Sequence, residues 1–196
     1  MNLILMIDVS GSMRGYKIGA VNDAMENLID ALSDYEVSNG TVWINVLLFS
    51  KNVEWMSDET KDIDSFEWTD PECTGMTSLG QACLILADRL KEESEKDFNI
   101  LILSDGCPTD DFDEGIETLD TITSFQNARR FAIAIGEDAD IPSLTRFTAD
   151  SDKVYRVSDL NNLLSVMLSA LQIEEKPKSE PLTTPKNTSS EEDEWS

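Results

Sequence analysis

Two apolar runs in this chain end at an aspartate that opens a glycine-containing loop. The first is Leu3 to Ile7, LILMI, which stops at Asp8 in the stretch MIDVSGSM; the second, FNILILSDG, runs from Phe98 and meets Asp105. An uninterrupted apolar run of this length suits a strand covered on both faces, which in turn requires helices above and below a sheet. A polar residue at the end of such a strand stands on the rim where open α/β sheets gather their ligands. The pair of aspartates therefore constrains both the fold and the place to look for chemistry.

The helices that such a sheet needs are legible in the spacing. Val21, Ala24, Met25, Leu28, Ile29 and Leu32 recur at intervals of 3, 1, 3, 1 and 3, and Leu79, Ala82, Cys83, Leu86, Ala87 and Leu90 repeat the same intervals. Each is the apolar stripe of a helix lying on a sheet, the second with Thr77 or Ser78 as its cap. Further strands are expected at 41–50, at 53–56 as a short edge strand, at 130–136 and at 153–157. A weaker helix is expected over 114–127, and a closing helix carries Leu160, Leu163, Leu164, Met167, Leu168 and Leu171. Residues 57–76 show no period and read as a long loop containing Phe66 and Trp68. The order predicts an α/β fold of three layers, a doubly wound, mostly parallel sheet with one short antiparallel edge strand.

The folded domain is expected to span residues 1–171. From 172 to 196 the composition turns proline-rich and acidic without apolar periodicity, the signature of a disordered tail. Its Thr183, Thr184 and Thr188 precede acidic residues but are ordinary for such a segment. With 39 Asp and Glu against 15 Lys and Arg, the formal net charge is -24. Such a surface repels phosphates and anionic lipid, so neither nucleic acid nor a membrane is expected as a partner. No basic leader precedes the first apolar run and no long apolar segment follows, which predicts a cytoplasmic protein, monomeric on its own. Histidine is absent and the three cysteines form no CxxC pair, which removes His-containing zinc sites, Ser-His-Asp triads and Cys-His dyads. Cys83 is expected in the core, with Cys73 and Cys107 as ordinary thiols.

If the two strands are neighbours, Asp8 and Asp105 come close and repel unless a cation joins them. Ser10 and Ser12 alternate along the turn after Asp8, and Thr77 enters the same rim at a helix start. Asp8, Ser10, Ser12, Thr77 and Asp105 form an all-oxygen set with two negative charges, which selects Mg2+, with Mn2+ or Ca2+ as alternatives, over zinc or copper. The bland alternative is capping by Ser10, Ser12 and Thr77 of the helices that follow. Asp110, Asp111, Asp113 and Glu114 offer either a second cation site or favourable charge at a helix N-terminus, and the second reading is preferred. Trp55, Phe66 and Trp68 serve equally as a contact platform or as cover for the sheet edge.

The pattern Asp8-x-Ser10-x-Ser12 with Thr77 and Asp105 resembles the metal-ion-dependent adhesion site, MIDAS, of von Willebrand factor A domains, over residues 3 to about 171. The resemblance implies a non-enzymatic module whose Mg2+ accepts an Asp or Glu from a partner protein. DVSGSM, GMTSLGQA and LILSDGCPTDD look closest to TerY-like bacterial A domains of tellurium-resistance and stress systems. That likeness implies work beside a protein kinase and a phosphatase. Met76 stands where the family's loop has its second glycine, a position that favours positive φ. Two other classes deserve comparison. A Mg2+-dependent phosphohydrolase of the haloacid dehalogenase type also ends its first strand on aspartate, but it needs a second aspartate where this chain has Ser10, and a lysine for which no strand end offers a candidate. A regulatory A domain coupled to an ATPase would share the same site, with the phosphate loop supplied by its partner.

Overall fold

The computed structural model describes residues 1–174. One sheet runs through it. Its strands are β1 (Asn2–Asp8), β2 (Trp43–Phe49), β3 (Val53–Trp55), β4 (Lys61–Asp62), β5 (Phe98–Ser104), β6 (Arg129–Ile135) and β7 (Val154–Val157). They lie in the order β3-β2-β1-β5-β6-β7, with β4 also on the outer edge of β2. The pairings from β2 through β7 are parallel, and only β3 and β4 run antiparallel on β2. The expected doubly wound architecture is present, with two short antiparallel edge strands in place of one.

The alternation of β1 divides its side chains between two cores. Leu3, Leu5 and Ile7 meet Val21, Ala24, Met25, Leu28 and Leu32 of α1 (Tyr16–Asn39) and Leu163 and Met167 of α6 (Leu163–Leu171). Ile4 and Met6 face the opposite core, built from α2 (Leu79–Glu92), α3 (Phe112–Asp120), α4 (Thr123–Asn127) and α5 (Ile141–Thr148). A strand that fills cores on both sides has no polar face to offer, which is why LILMI carries no alternation. Each such aliphatic side chain contributes roughly 1.5–3 kcal/mol on leaving water.

Three expectations change in detail. The helix predicted over 114–127 is two helices, α3 and α4, separated by Ile122 in extended conformation. Thr118 and Thr121 turn their hydroxyls onto the carbonyls of Glu114 and Thr118, and Ser124 donates to the carbonyl of Leu90. These bonds compete with helix continuation and pin α4 to the end of α2. The loop of 57–76 contains β4 and a 3-10 turn over Ile63–Ser65, whose start Asp62 caps by accepting from Ser65. Phe66 is buried there and Trp68 packs half-buried on the same core, so both cover the sheet. Trp55 does likewise on the other face, under the guanidinium of Arg89 at 4.8 Å. Finally, the packed chain continues past 171: Gln172 adopts a left-handed conformation and Ile173 is buried. The predicted tail lies, from residue 175 onward, outside the described residues.

No described helix is long and apolar enough to cross a membrane.

Candidate metal centre

The chain leaves β1 for one side of the sheet, through α1 to β2, then returns through α2 to β5 on the other side of β1. The crevice at the carboxyl ends of β1 and β5 is the topological switch point. Asp8 is the last residue of β1, and Asp105 follows the last residue of β5. Both are buried, and their loops are joined by side-chain hydrogen bonds. Ser12 Oγ donates to Asp105 Oδ1 at 2.6 Å and lies 2.9 Å from Ser10 Oγ. Since the single hydroxyl hydrogen of Ser12 goes to Asp105, Ser10 is the donor of that pair. Ser104 Oγ donates to Asp8 Oδ2 at 2.6 Å, and the Ser10 amide donates to Asp8 Oδ1 at 2.8 Å. Neither serine makes a side-chain capping bond at the turn that follows Asp8, so the capping alternative does not describe Ser10 or Ser12.

Thr77 reaches the same crevice on a loop held from three directions. Thr74 donates its amide to Val9 O at 2.9 Å and Gly11 donates to Gly75 O at 3.0 Å, lacing this loop to the first. The amide of Ser78 donates to Ser50 O. On the far side, Thr109 accepts from the Thr77 amide and returns both its own amide and its hydroxyl to the Thr77 carbonyl. Asp110 then accepts from the amides of Gly80 and Gln81 at 2.9 and 2.8 Å, capping α2 from across the gap. The cap expected from Thr77 or Ser78 is thus supplied by another loop, and the side chain of Thr77 remains directed to the crevice. Gly106 shows the convergence: a Cβ there would meet Thr77 Oγ1 at 3.2 Å, Ser12 Oγ at 3.7 Å and Asp8 Oδ2 at 4.0 Å. The missing side chain keeps a space bounded by three oxygens clear of carbon. Among the described residues no group of three or more His, Cys, Asp or Glu is placed to hold a metal ion.

Met76 does not carry the conformation that its place in the loop suggested. The positive φ falls on Gly75, at 73°, where a Cβ would come within 2.7 Å of Lys51 Cβ. Met76 is instead 60% exposed on the lip.

The electrostatics differ from the sequence expectation. The two carboxylates are not left to repel each other, because Lys17 Nζ forms an ion pair with Asp105 Oδ2. Among the described residues Asp8 has no cationic partner. Burial pushes its carboxyl above the usual 3.8, against the hydrogen bonds from Ser104 and Ser10 and with a smaller upward push from Asp105.

A family model for the von Willebrand factor type A domain matches residues 2–168. The chain belongs to that family. Solved structures of the same fold include the ArnB paralog VWA2 from Sulfolobus acidocaldarius, 22% identical, with a TM-score of 0.65 over 84% of this chain and 43% of that one. Proximal thread matrix protein 1 from the mussel byssus, solved with a zinc-occupied MIDAS motif, is 14% identical, with a TM-score of 0.63 over 87% of this chain and 44% of its own. BatB from Bacteroides thetaiotaomicron is 12% identical, with a TM-score of 0.61 over 88% and 97%. This A domain therefore spans less than half the length of the first two. None of the curated proteins matches it.

Within this A domain, sequence reasoning missed four residues that shape the crevice. Ser104 and Thr109 are hidden as ordinary polar neighbours of an aspartate and a proline. Asp110, in the sequence a candidate for a second cation site or for charge at the helix that follows it, caps α2 instead; Asp111 does cap α3, accepting from the Glu114 amide. Lys17 is the second residue of α1, where the periodicity marks it merely as outside the apolar stripe.

Proposed function

We propose that this A domain is a non-enzymatic binding module in which Asp8, Ser10, Ser12, Thr77 and Asp105 hold a divalent cation that receives an Asp or Glu from a partner protein. The observation that carries this reading is the convergence of Thr77, Ser12 and Asp8 oxygens around Gly106 at the switch point. An all-oxygen set with two carboxylates suits Mg2+, with Mn2+ or Ca2+ as alternatives. When bound, such an ion supplies an electrophilic position for one more oxygen ligand. The chain's own residues orient that position: the Ser10 and Ser104 bonds fix Asp8, and Thr109 fixes the backbone of Thr77. Met76, 60% exposed on the loop that carries Thr77, gives the partner an apolar surface beside the carboxylate site.

The likeness of LILSDGCPTDD to TerY-like proteins supports a stress or tellurium-resistance setting, with a protein kinase or phosphatase as the partner that offers the carboxylate. An ATPase partner would use the same site. For the phosphohydrolase reading, Lys17 supplies the lysine that the strand ends lacked. The position two residues after Asp8 is still Ser10, which is no acid/base at neutral pH and whose hydrogen goes to Ser12.

The test is capture of partners by the full chain in Mg2+ and in EDTA, for wild type and Thr77→Ala. The reading expects a protein held only by wild type in Mg2+. Equal capture of the same protein in EDTA contradicts it.

A further inference from the structure

The sequence assigns two negative charges to the metal crevice, and the structure adds a positive one. Lys17 enters from the first turn of α1, its Nζ against Asp105 Oδ2. The Asp105 side chain is 1% exposed and that of Lys17 32%, so the ammonium is partly withdrawn from water. Its far end lies along the backbone at the end of β6: a Cβ on Gly136 would meet Lys17 Cε at 3.4 Å and Nζ at 3.5 Å. Gly136 has φ of 87° and donates its amide to Val157 O. The fold thus leaves a place for this lysine beside a carboxylate assigned to the metal.

We infer that Lys17 is a tethered counter-cation that holds down the metal affinity of the free domain and makes metal and partner carboxylate bind together. The inference rests on the metal-binding reading above. Asp8, Asp105 and Lys17 sum to a formal charge of -1. A divalent ion takes this to +1, and one carboxylate from the partner returns it to zero. Without Lys17 the same ion neutralises the crevice by itself, and a further carboxylate overshoots. The lysine thereby links the two ligands through charge alone, since each reduces the electrostatic cost of the other.

The test is calorimetric titration of Mn2+ into the full chain for wild type, Lys17→Met and Lys17→Arg, each repeated in excess acetate as a minimal carboxylate. A single like charge so close, discounted for the partial exposure of Lys17, corresponds to roughly tenfold in affinity. Lys17→Met is expected to bind Mn2+ about tenfold more tightly, Lys17→Arg to stay near wild type, and acetate to tighten binding in wild type more than in Lys17→Met. Equal or weaker binding by a cooperatively melting Lys17→Met overturns the inference while leaving the metal site standing. If Lys17→Met does not melt cooperatively, Lys17→Gln carries the same comparison. Absence of Mn2+ binding by all of the proteins overturns the metal-binding reading and the counter-cation role with it.

Discussion

Ser12 Oγ donates to Asp105 Oδ1 at 2.6 Å across 93 residues of sequence, and Ser10 in turn donates to Ser12. The relay binds the loop after β1 to the loop after β5 with its hydrogens directed toward Asp105. A hydrogen bond to a buried charged group is worth more than a neutral one. Ser12→Ala is therefore expected to cost about 1–2 kcal/mol in EDTA, and Ser10→Ala less than about 1 kcal/mol. Urea unfolding of the two variants measures the order; a larger loss for Ser10→Ala contradicts the relay.

Asp8 gives the crevice a pH signature. Its folded-state pKa is raised by burial above 3.8, so the folded protein holds this proton to higher pH than the unfolded chain does. Ionising Asp8 then subtracts stability as pH rises through that interval; the cost is complete above the folded pKa and absent below the unfolded one. Asp8→Asn removes the charge while its amide oxygen still accepts from Ser10. In EDTA it should melt above wild type at neutral pH, with the difference closing as pH falls toward 3.8. A lower melting temperature for Asp8→Asn at neutral pH is the contrary result.

Asp110 and Asp113 look alike in the sequence and differ in the structure. Asp110 accepts from two amides at the start of α2, and Asp113 lies exposed in the first turn of α3. Asp110→Ala should cost roughly 1–2 kcal/mol, as loss of a cap does, and Asp113→Ala no more than about 0.5 kcal/mol. Gly80 closes the same contact, with a Cβ reaching 2.2 Å from the Asp111 carbonyl oxygen. Gly80→Ala is thus expected to be at least as damaging as Asp110→Ala. Chemical denaturation of the three variants checks the ranking.

The thiols should separate by reactivity. Cys73 and Cys83 are buried and Cys107 is exposed. The thiol pKa of Cys107 is raised, chiefly by the negative charge of Asp140, which lowers its thiolate fraction. Native protein should take up one equivalent of iodoacetamide, slowly, and three after denaturation. Asp140→Asn should speed the native reaction severalfold; an unchanged rate contradicts the assigned cause.

How far the sequence speaks depends on how many residues a feature needs. The two-sided runs of β1 and β5 and the stripes of α1 and α2 are long repeats of one physical demand, so they emerge from spacing alone. β4 is two residues long, and the break between α3 and α4 depends on threonine hydroxyls turning to backbone carbonyls, neither of which leaves a period. The same contrast holds in the crevice. Asp8 and Asp105 are visible because each stands where an apolar strand run stops, and Ser10, Ser12 and Thr77 because they alternate after that stop or precede a helix stripe. Lys17, Ser104 and Thr109 act through contacts between residues 32 to 96 positions apart, which no local pattern records.

The five oxygen-bearing residues are proposed to form one divalent-cation site. Titration of Mg2+ into the full chain, followed by calorimetry and by melting temperature, tests it on wild type and Thr77→Ala. Wild type is expected to show a single saturable site, with the melting temperature rising as Mg2+ exceeds its dissociation constant. Thr77→Ala is expected to bind at least about tenfold more weakly, with a melting temperature in EDTA close to that of wild type, as for removing one metal-binding hydroxyl from a loop held by its backbone. Binding of equal strength in the two proteins, or none in wild type, contradicts the proposal.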